Sequence, residues 1–165
     1  MHMPVRPRFE NSRILVSNMD ASLKFYCDTL GLVPVGGFRV KGEVAFVEIF
    51  LADRENRRCL TLQESPLTPV ASGTTGYPPF VMTVATPDDH AEALRAVQDA
   101  GYEIAVQPLE IGDTRCFMPV DPDGYLVEVI YQPGEDDLAW GNVDGEYSVI
   151  EVDGLPDGLL GRTLK

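Results

Sequence analysis

The order of predicted secondary-structure elements repeats along the chain, and this repeat constrains the fold more than any other feature. In the first half, residues 13–17 form a predicted strand, and Asn18-Met19-Asp20 opens a helix with Asp20 as the expected N-cap. Gly31 provides the left-handed stop of that helix. The apolar residues between them recur at helical spacing, at Leu23, Tyr26, Cys27 and Leu30. Three further predicted strands follow at 33–40, 43–50 and 59–63.

The second half repeats this order. A predicted strand at 80–84 leads into Thr86-Pro87-Asp88-Asp89, which combines a helix cap, a proline in the first turn and first-turn acids. Gly101 ends this helix. Three predicted strands then occupy 103–106, 114–119 and 125–131, with a tight turn at 121–124 between the last two. The sequence therefore predicts an α+β fold made of two βαβββ modules.

The repeat also sets the predicted domain boundaries. We expect one domain over residues 1–132, with modules at about 11–64 and 79–132 and a Pro/Gly/Thr-rich linker at 65–78. Residues 133–165 form an acidic extension with eight acids and two bases, and residues 147–152 within it are typical of one more strand. Both an ordered arm and a solvated tail fit this extension.

The charge balance excludes several classes of partner. Thirteen Lys and Arg against 26 Asp and Glu give a formal net charge of -13. Nucleic acids and anionic membrane surfaces need concentrated positive charge, so we expect neither as a partner. The N-terminal residues lack the apolar core of a secretion signal, which favours a cytoplasmic protein.

Cysteine and histidine are too scarce and too scattered to suggest the usual catalytic sites. Cys27, Cys59 and Cys116 show no C-x-x-C spacing, and we interpret them as inert, buried thiols. The two histidines are His2, in the N-terminal arm, and His90, in the first turn of the second helix. We expect His90 to face solvent, so the sequence does not favour acid–base catalysis by histidine.

Two segments resemble the vicinal oxygen chelate superfamily, which includes glyoxalase I, bleomycin-resistance proteins and extradiol dioxygenases. They are residues 14–26 with Leu30-Gly31-Leu32, and residues 117–128 with the turn Asp121-Pro122-Asp123-Gly124. The resemblance implies paired modules that curl a mixed sheet around a concave pocket, with helices on the convex side. It also implies that modules pair either within one chain or across a homodimer; two modules could complete one cup here, so a homodimer is expected but not required. It does not fix the reaction, because such folds support several chemistries.

The metal positions implied by the resemblance are mostly lost. The expected His or Glu ligands fall on Asn11, Pro79, Glu128, and either Thr61 or Gln63. Proline offers no side-chain donor, and neutral amides and hydroxyls are weak ligands for borderline metals. We therefore predict that the usual metal centre is absent and that no cofactor is needed. The alternative is zinc, nickel, iron or manganese held by Glu128, with donors from Glu43, Glu48 or Glu64.

Strand alternation selects the residues that face the predicted pocket. Glu128 is the one candidate catalytic group, and pairing with Arg13 would make it either a satisfied ion pair or an acid–base catalyst. The predicted ligand-binding residues are Asn11, Arg13, Thr61, Gln63, Val81, Thr83, Phe117 and Glu128. We predict a protein of sequestration or resistance type that binds a small organic molecule. The alternative is an enzyme using Glu128, either a glyoxalase-type lyase, a dioxygenase, or a metal-free isomerase or cyclase.

Overall fold

The computed structural model describes residues 11–42, 45–65, 80–111 and 113–133. The chain divides into two compact units, one within residues 1–72 and the other within 73–165. Each contains one βαβββ module. The predicted linker and C-terminal extension lie almost wholly outside the described residues, so their boundaries stay a prediction.

The first module is a four-stranded mixed sheet with one short helical segment. Its strand order is β1-β4-β3-β2, in which β1 runs parallel to β4 and the other neighbours are antiparallel. The elements are β1 Ser12–Val16, α1 Met19–Leu23, a π-helical turn Lys24–Thr29, β2 Val33–Val40, β3 Phe46–Ala52 and β4 Arg58–Glu64.

The start of α1 corrects the predicted cap. Asn18, not Asp20, is the N-cap, and its Oδ1 accepts a hydrogen bond from the Ala21 N–H at 2.9 Å. The Glu64 carboxylate at the end of β4 accepts the N–H of Met19. Two acceptors thus satisfy amides that a helix start leaves without intrahelical partners.

The π-helical turn changes which side chains of this segment are buried. The Leu30 N–H bonds to the Phe25 carbonyl, five residues back, at 3.1 Å. This wider turn shifts the angular position of the residues along it. Phe25 and Tyr26 are fully buried as a result, whereas Leu23 and Cys27 of the predicted stripe are half-buried.

The two faces of the first sheet differ in chemistry. The face that carries the core holds apolar side chains, namely Ile14, Val16, Leu51, Leu60 and Leu62. The opposite face carries Arg13, Thr61 and Glu48, as alternation along each strand requires. At Gly37 on β2, a Cβ would lie 2.3 Å from the Glu48 carbonyl oxygen, so close strand approach requires glycine there.

The second module repeats this topology. Its strand order is β5-β8-β7-β6, with β5 parallel to β8 and the remaining neighbours antiparallel. The elements are β5 Phe80–Val84, α2 Pro87–Asp99, β6 Ile104–Ile111, β7 Thr114–Pro119 and β8 Val127–Tyr131. The predicted α+β fold of two βαβββ modules is confirmed.

Helix α2 begins as predicted but buries a residue that was expected to face solvent. Thr86 Oγ1 accepts the Asp89 N–H at 3.1 Å, and Pro87 occupies the first turn. His90 is only 5% exposed and packs edge-on against Phe117, with the ring centroids 5.1 Å apart. Its predicted solvent position is wrong, because α2 turns this side chain towards the sheet that it covers.

The predicted turn before β8 is present. Asp121 Oδ1 accepts N–H groups from Asp123 at 2.9 Å and from Tyr125 at 2.7 Å. Gly124 has a positive φ of 92°, which glycine adopts without steric cost. Among the described residues, no helix is long and apolar enough to cross a membrane.

Candidate functional site

The face of the first sheet opposite its core brings the predicted polar residues together. Arg13 on β1 pairs in register with Thr61 on β4, which pairs with Phe50 on β3. The next row consists of Leu15, Gln63, Glu48 and Phe38, one from each strand. Side chains paired in register lie on the same face, so these two rows form one surface. We call it the β1–β4 polar face.

An ion pair between an exposed arginine and a buried glutamate occupies this polar face. Arg13 Nε lies 3.2 Å from Glu48 Oε1, and Arg13 Nη2 lies 3.4 Å from Glu48 Oε2. The Glu48 side chain is 4% exposed, whereas that of Arg13 is 57% exposed. The buried carboxylate therefore holds a guanidinium whose other N–H groups reach the surface.

An aromatic cluster lies beside the ion pair. The Phe38 ring is 5.8 Å from that of Phe46 and 5.9 Å from that of Phe50, centroid to centroid. The Arg58 guanidinium carbon lies 4.8 Å above the Phe50 ring, a cation–π contact. Phe38 is 46% exposed and is the cross-strand partner of Glu48. An exposed ring thus directly adjoins the Arg13–Glu48 pair.

Thr61 provides a further polar group on the same face. Its side chain is buried, and Oγ1 has no hydrogen-bond partner among the described residues. A buried hydroxyl without a partner is uncommon in folded proteins and marks a place where a further oxygen or nitrogen would be favourable.

The corresponding face of the second module carries Glu128. Val81 pairs in register with Glu128, and Thr83 pairs with Ile130, so the predicted residues of β5 and β8 share one face. Burial raises the pKa of the Glu128 carboxyl. Burial, reinforced by the Glu128 charge, also raises the pKa of the Cys116 thiol. Among the described residues, Glu128 has no ion-pair partner.

Not every predicted site residue joins these faces. Phe117 pairs with Val129, so it lies on the opposite face from Glu128 and packs under α2 against His90. Asn11 is half-buried and immediately precedes β1, in phase with Arg13. Arg13 forms its ion pair with Glu48 of the same sheet and not with Glu128, the partner that the sequence suggested.

The residues missed by the sequence analysis are Phe38, Phe46, Phe50 and Arg58, together with the pairing role of Glu48. Period-two counting along residues 46–50 places both phenylalanines and Glu48 on one face, and this signal was available. The bulge beside Arg58 could not be predicted from the sequence, because it depends on the register of β3 against β4.

The donor set does not match a divalent metal centre of the kind that the fold family uses. The described residues contain no group of three His, Cys, Asp or Glu side chains that could hold a metal ion. Of the alternative donors, Glu48 is paired with Arg13, and Glu64 caps α1. Glu43 and Pro79 lie outside the described residues. The residues on these two sheet faces therefore do not fit a divalent metal ion.

The sequence profile of the Glyoxalase/Bleomycin resistance protein/Dioxygenase superfamily matches residues 8–129. The chain belongs to this superfamily, as its repeated motifs indicated. Proteins of curated function give no significant sequence match.

Solved structures of the same superfamily share the fold. A glyoxalase family protein from Bacillus cereus matches with a TM-score of 0.65 and 16% identity, over 81% of this chain and 99% of that one. The trypanothione-dependent glyoxalase I of Leishmania major gives 0.60 and 20%, over 76% and 87%. A fosfomycin resistance protein from Listeria monocytogenes, solved with Mn(II) and sulfate, gives 0.61 and 13%, over 79% and 97%. Identities this low show a common fold alone.

Proposed function

We propose that this protein binds a small organic molecule on the sheet faces opposite its helices, without the divalent metal centre of its enzymatic relatives. The observation that carries the proposal is the composition of the β1–β4 polar face. It combines an exposed phenylalanine, an ion pair between a buried carboxylate and an exposed guanidinium, and a hydroxyl that has no hydrogen-bond partner in the described part of the chain. Apolar surface interrupted by a few fixed polar groups is typical of small-molecule sites.

The same residues argue against a metal as the organising element of this site. Asn11, Pro79 and either Thr61 or Gln63 stand where the family resemblance expects His or Glu; proline has no side-chain donor, and neutral oxygen donors bind borderline metals weakly. Glu128 is the one ligand-type residue retained at these positions, and one carboxylate does not make up a metal site. Sequestration or resistance by binding is the function that these donors support best.

A thermal-shift screen of the intact, metal-stripped chain tests this proposal. We expect one or more organic compounds to raise Tm in the presence of a chelator, because ligands that bind the native state stabilise it. Zinc, nickel, iron and manganese, added separately, should give no comparable shift. Stabilisation by a metal ion, with organic compounds acting only in its presence, would contradict the proposal.

A second candidate function uses Glu128 as an acid–base catalyst in a metal-free isomerisation or cyclisation. The observation that favours it is the half-buried carboxyl, which lacks an ion pair in the described part of the chain and has a raised pKa. A carboxyl tuned in this direction donates and accepts protons nearer to neutral pH. Turnover of a bound compound by the wild type, abolished in Glu128→Gln while binding persists, would support it.

We also propose a cytoplasmic homodimer. Family resemblance supports the dimer, and light scattering of the purified chain measures it. Free Cys27, Cys59 and Cys116 support a reducing compartment. Burial raises the pKa of all three thiols, which keeps them protonated and unreactive.

A further inference from the structure

The geometry points to an aromatic carboxylate as the class of ligand that the β1–β4 polar face selects. This inference rests on the proposed function and sharpens it, since it assigns the chemistry of the ligand and two of the residues that recognise it. Arg13 would bind the carboxylate, and Phe38 would stack on the ring.

The Arg13–Glu48 pair carries the electrostatic part of the inference. Glu48 contacts Nε and Nη2 of Arg13, and no carboxylate among the described residues contacts the Nη1 side of the guanidinium fork. The Arg13 side chain is more than half exposed, so these donors are accessible. Arginine presents its N–H groups in a rigid plane that matches a carboxylate, and Glu48 holds that plane in place.

The aromatic part follows from the register of β2 against β3. Phe38 is the direct cross-strand partner of Glu48, so the two residues lie one strand spacing apart, about 5 Å between backbones, with their side chains on the same face. The cross-strand partner of Phe50 on β2 is Gly36, so no side chain of β2 lies beside the Phe50 ring at that position. A planar ring that bears a carboxylate can therefore contact Arg13 and Phe38 at the same time.

The N–H donors of Arg13 favour an anionic group at this face in spite of the acidic composition. Glu48 and Arg13 balance each other's charge, and the exposed guanidinium has further N–H groups that can donate to a second acceptor. A cationic ligand offers no acceptor for these donors. The net charge of -13 acts over longer distances and is screened beyond about 8 Å at physiological ionic strength. Direct hydrogen bonds to Arg13 therefore outweigh the distant charges.

Titration of the intact protein with 1-naphthoate tests the inference, with 1-naphthamide and cyclohexanecarboxylate as matched probes. We expect naphthoate to bind at least about tenfold more tightly than the neutral amide, because the amide lacks the charge-assisted bonds to Arg13. Cyclohexanecarboxylate should also bind more weakly, because it cannot stack. Isothermal titration calorimetry measures all three dissociation constants.

Three variants locate the binding. Arg13→Lys keeps a cation beside Glu48 but loses the planar fork, and we expect about a tenfold weaker naphthoate affinity. Phe38→Leu removes the stacking ring from an exposed position, so the fold is retained while affinity falls. Arg39→Gln removes a neighbouring exposed charge whose side chain leaves from the other face of β2, and it should leave affinity unchanged.

The outcomes separate this inference from the proposed function. Equal affinity for naphthoate and naphthamide, or full affinity in both Arg13→Lys and Phe38→Leu, would overturn the aromatic carboxylate. If neutral or cationic compounds bind and aromatic carboxylates do not, the inference is wrong and the binding function stands. If no compound of any class binds, both are wrong.

Discussion

The two modules share one topology but treat their acidic residues in opposite ways. In the first module, Glu48 is buried and its charge is balanced by Arg13, which reaches it from β1 across β4. In the second, Glu128 is half-buried, has no ion-pair partner in the described residues, and has a raised pKa. The shared strand order therefore fixes which face a carboxylate lies on, whereas the other side chains on that face decide whether it has a partner.

The largest expected effect comes from breaking the ion pair of the first module. Arg13→Met leaves the Glu48 carboxylate buried without its cation, and we expect a loss of about 2–3 kcal/mol in the free energy of unfolding. Urea denaturation measures it. Arg39→Met is the matched control, because that arginine is exposed, and it should change stability by less than about 0.5 kcal/mol.

The double variant Arg13→Met/Glu48→Leu checks the cause of that loss. Replacing both partners removes the uncompensated charge, so most of the lost stability should return. An additive further loss in the double variant would show that the pair contributes packing and not charge compensation.

The next effect concerns His90 under α2 of the second module. Burial lowers the pKa of His90, and the nearby Arg115 lowers it further, while Glu110 opposes this. A histidine whose folded pKa lies below its unfolded value binds its proton more readily in the unfolded chain. Stability should therefore fall as pH drops below about 6.5, the unfolded value.

Unfolding free energies at pH 7.5 and 5.5 test this histidine effect. The wild type should lose more stability over that interval than His90→Gln, which does not titrate there. Equal losses in the two proteins would contradict the assignment to His90.

Removal of the second module's carboxylate should have the opposite sign to removal of Arg13. Glu128→Gln eliminates a desolvated charge without a partner, so stability at pH 7 should be unchanged or slightly higher. The folded pKa of Glu128 is raised, so the native state retains its proton to higher pH than the unfolded state. The stability that this carboxyl contributes is present at low pH and is lost as pH rises through the folded pKa.

Urea denaturation of the wild type and of Glu128→Gln between pH 4 and 7 measures how the difference in their free energies of unfolding changes with pH. Acidification should favour the wild type relative to the variant. A wild type that is clearly more stable than the variant at pH 7 would mean that Glu128 is paired after all.

The smallest expected loss of stability comes from the exposed ring Phe38, in contrast to a ring of the core. Phe38→Leu alters a half-exposed side chain and should change the free energy of unfolding by less than about 1 kcal/mol. Phe117→Leu, at a fully buried position against His90, should cost more. Equal costs in thermal denaturation would contradict the assignment of Phe38 to an open face.

Much of the fold was predictable because local patterns report local structure. Alternation placed Arg13, Thr61 and Gln63 on one face and Ile14 and Val16 on the other, as observed. Pro87 and the first-turn acids Asp88 and Asp89 correctly predicted where α2 begins. The π-helical turn was not predictable from helical spacing, because its wider turn departs from the 3.6-residue period.

The candidate site was only partly predictable. Alternation states which face a residue occupies, but the partner of Arg13 depends on the register of three strands that are distant in sequence. The burial of His90 depends on how α2 packs on the sheet. Its position in the first turn of the helix does not determine whether the side chain faces solvent or the sheet. Phe117 was assigned to the ligand site, whereas the register places it under α2.

Metal content tests the central claim most directly. Tag-free protein is incubated with zinc, nickel, iron and manganese in turn, passed through a desalting column and analysed by elemental mass spectrometry beside Glu128→Gln. We expect far less than one ion per chain for each metal, with no difference between the two proteins. About one ion per chain in the wild type, lost in Glu128→Gln, would contradict it.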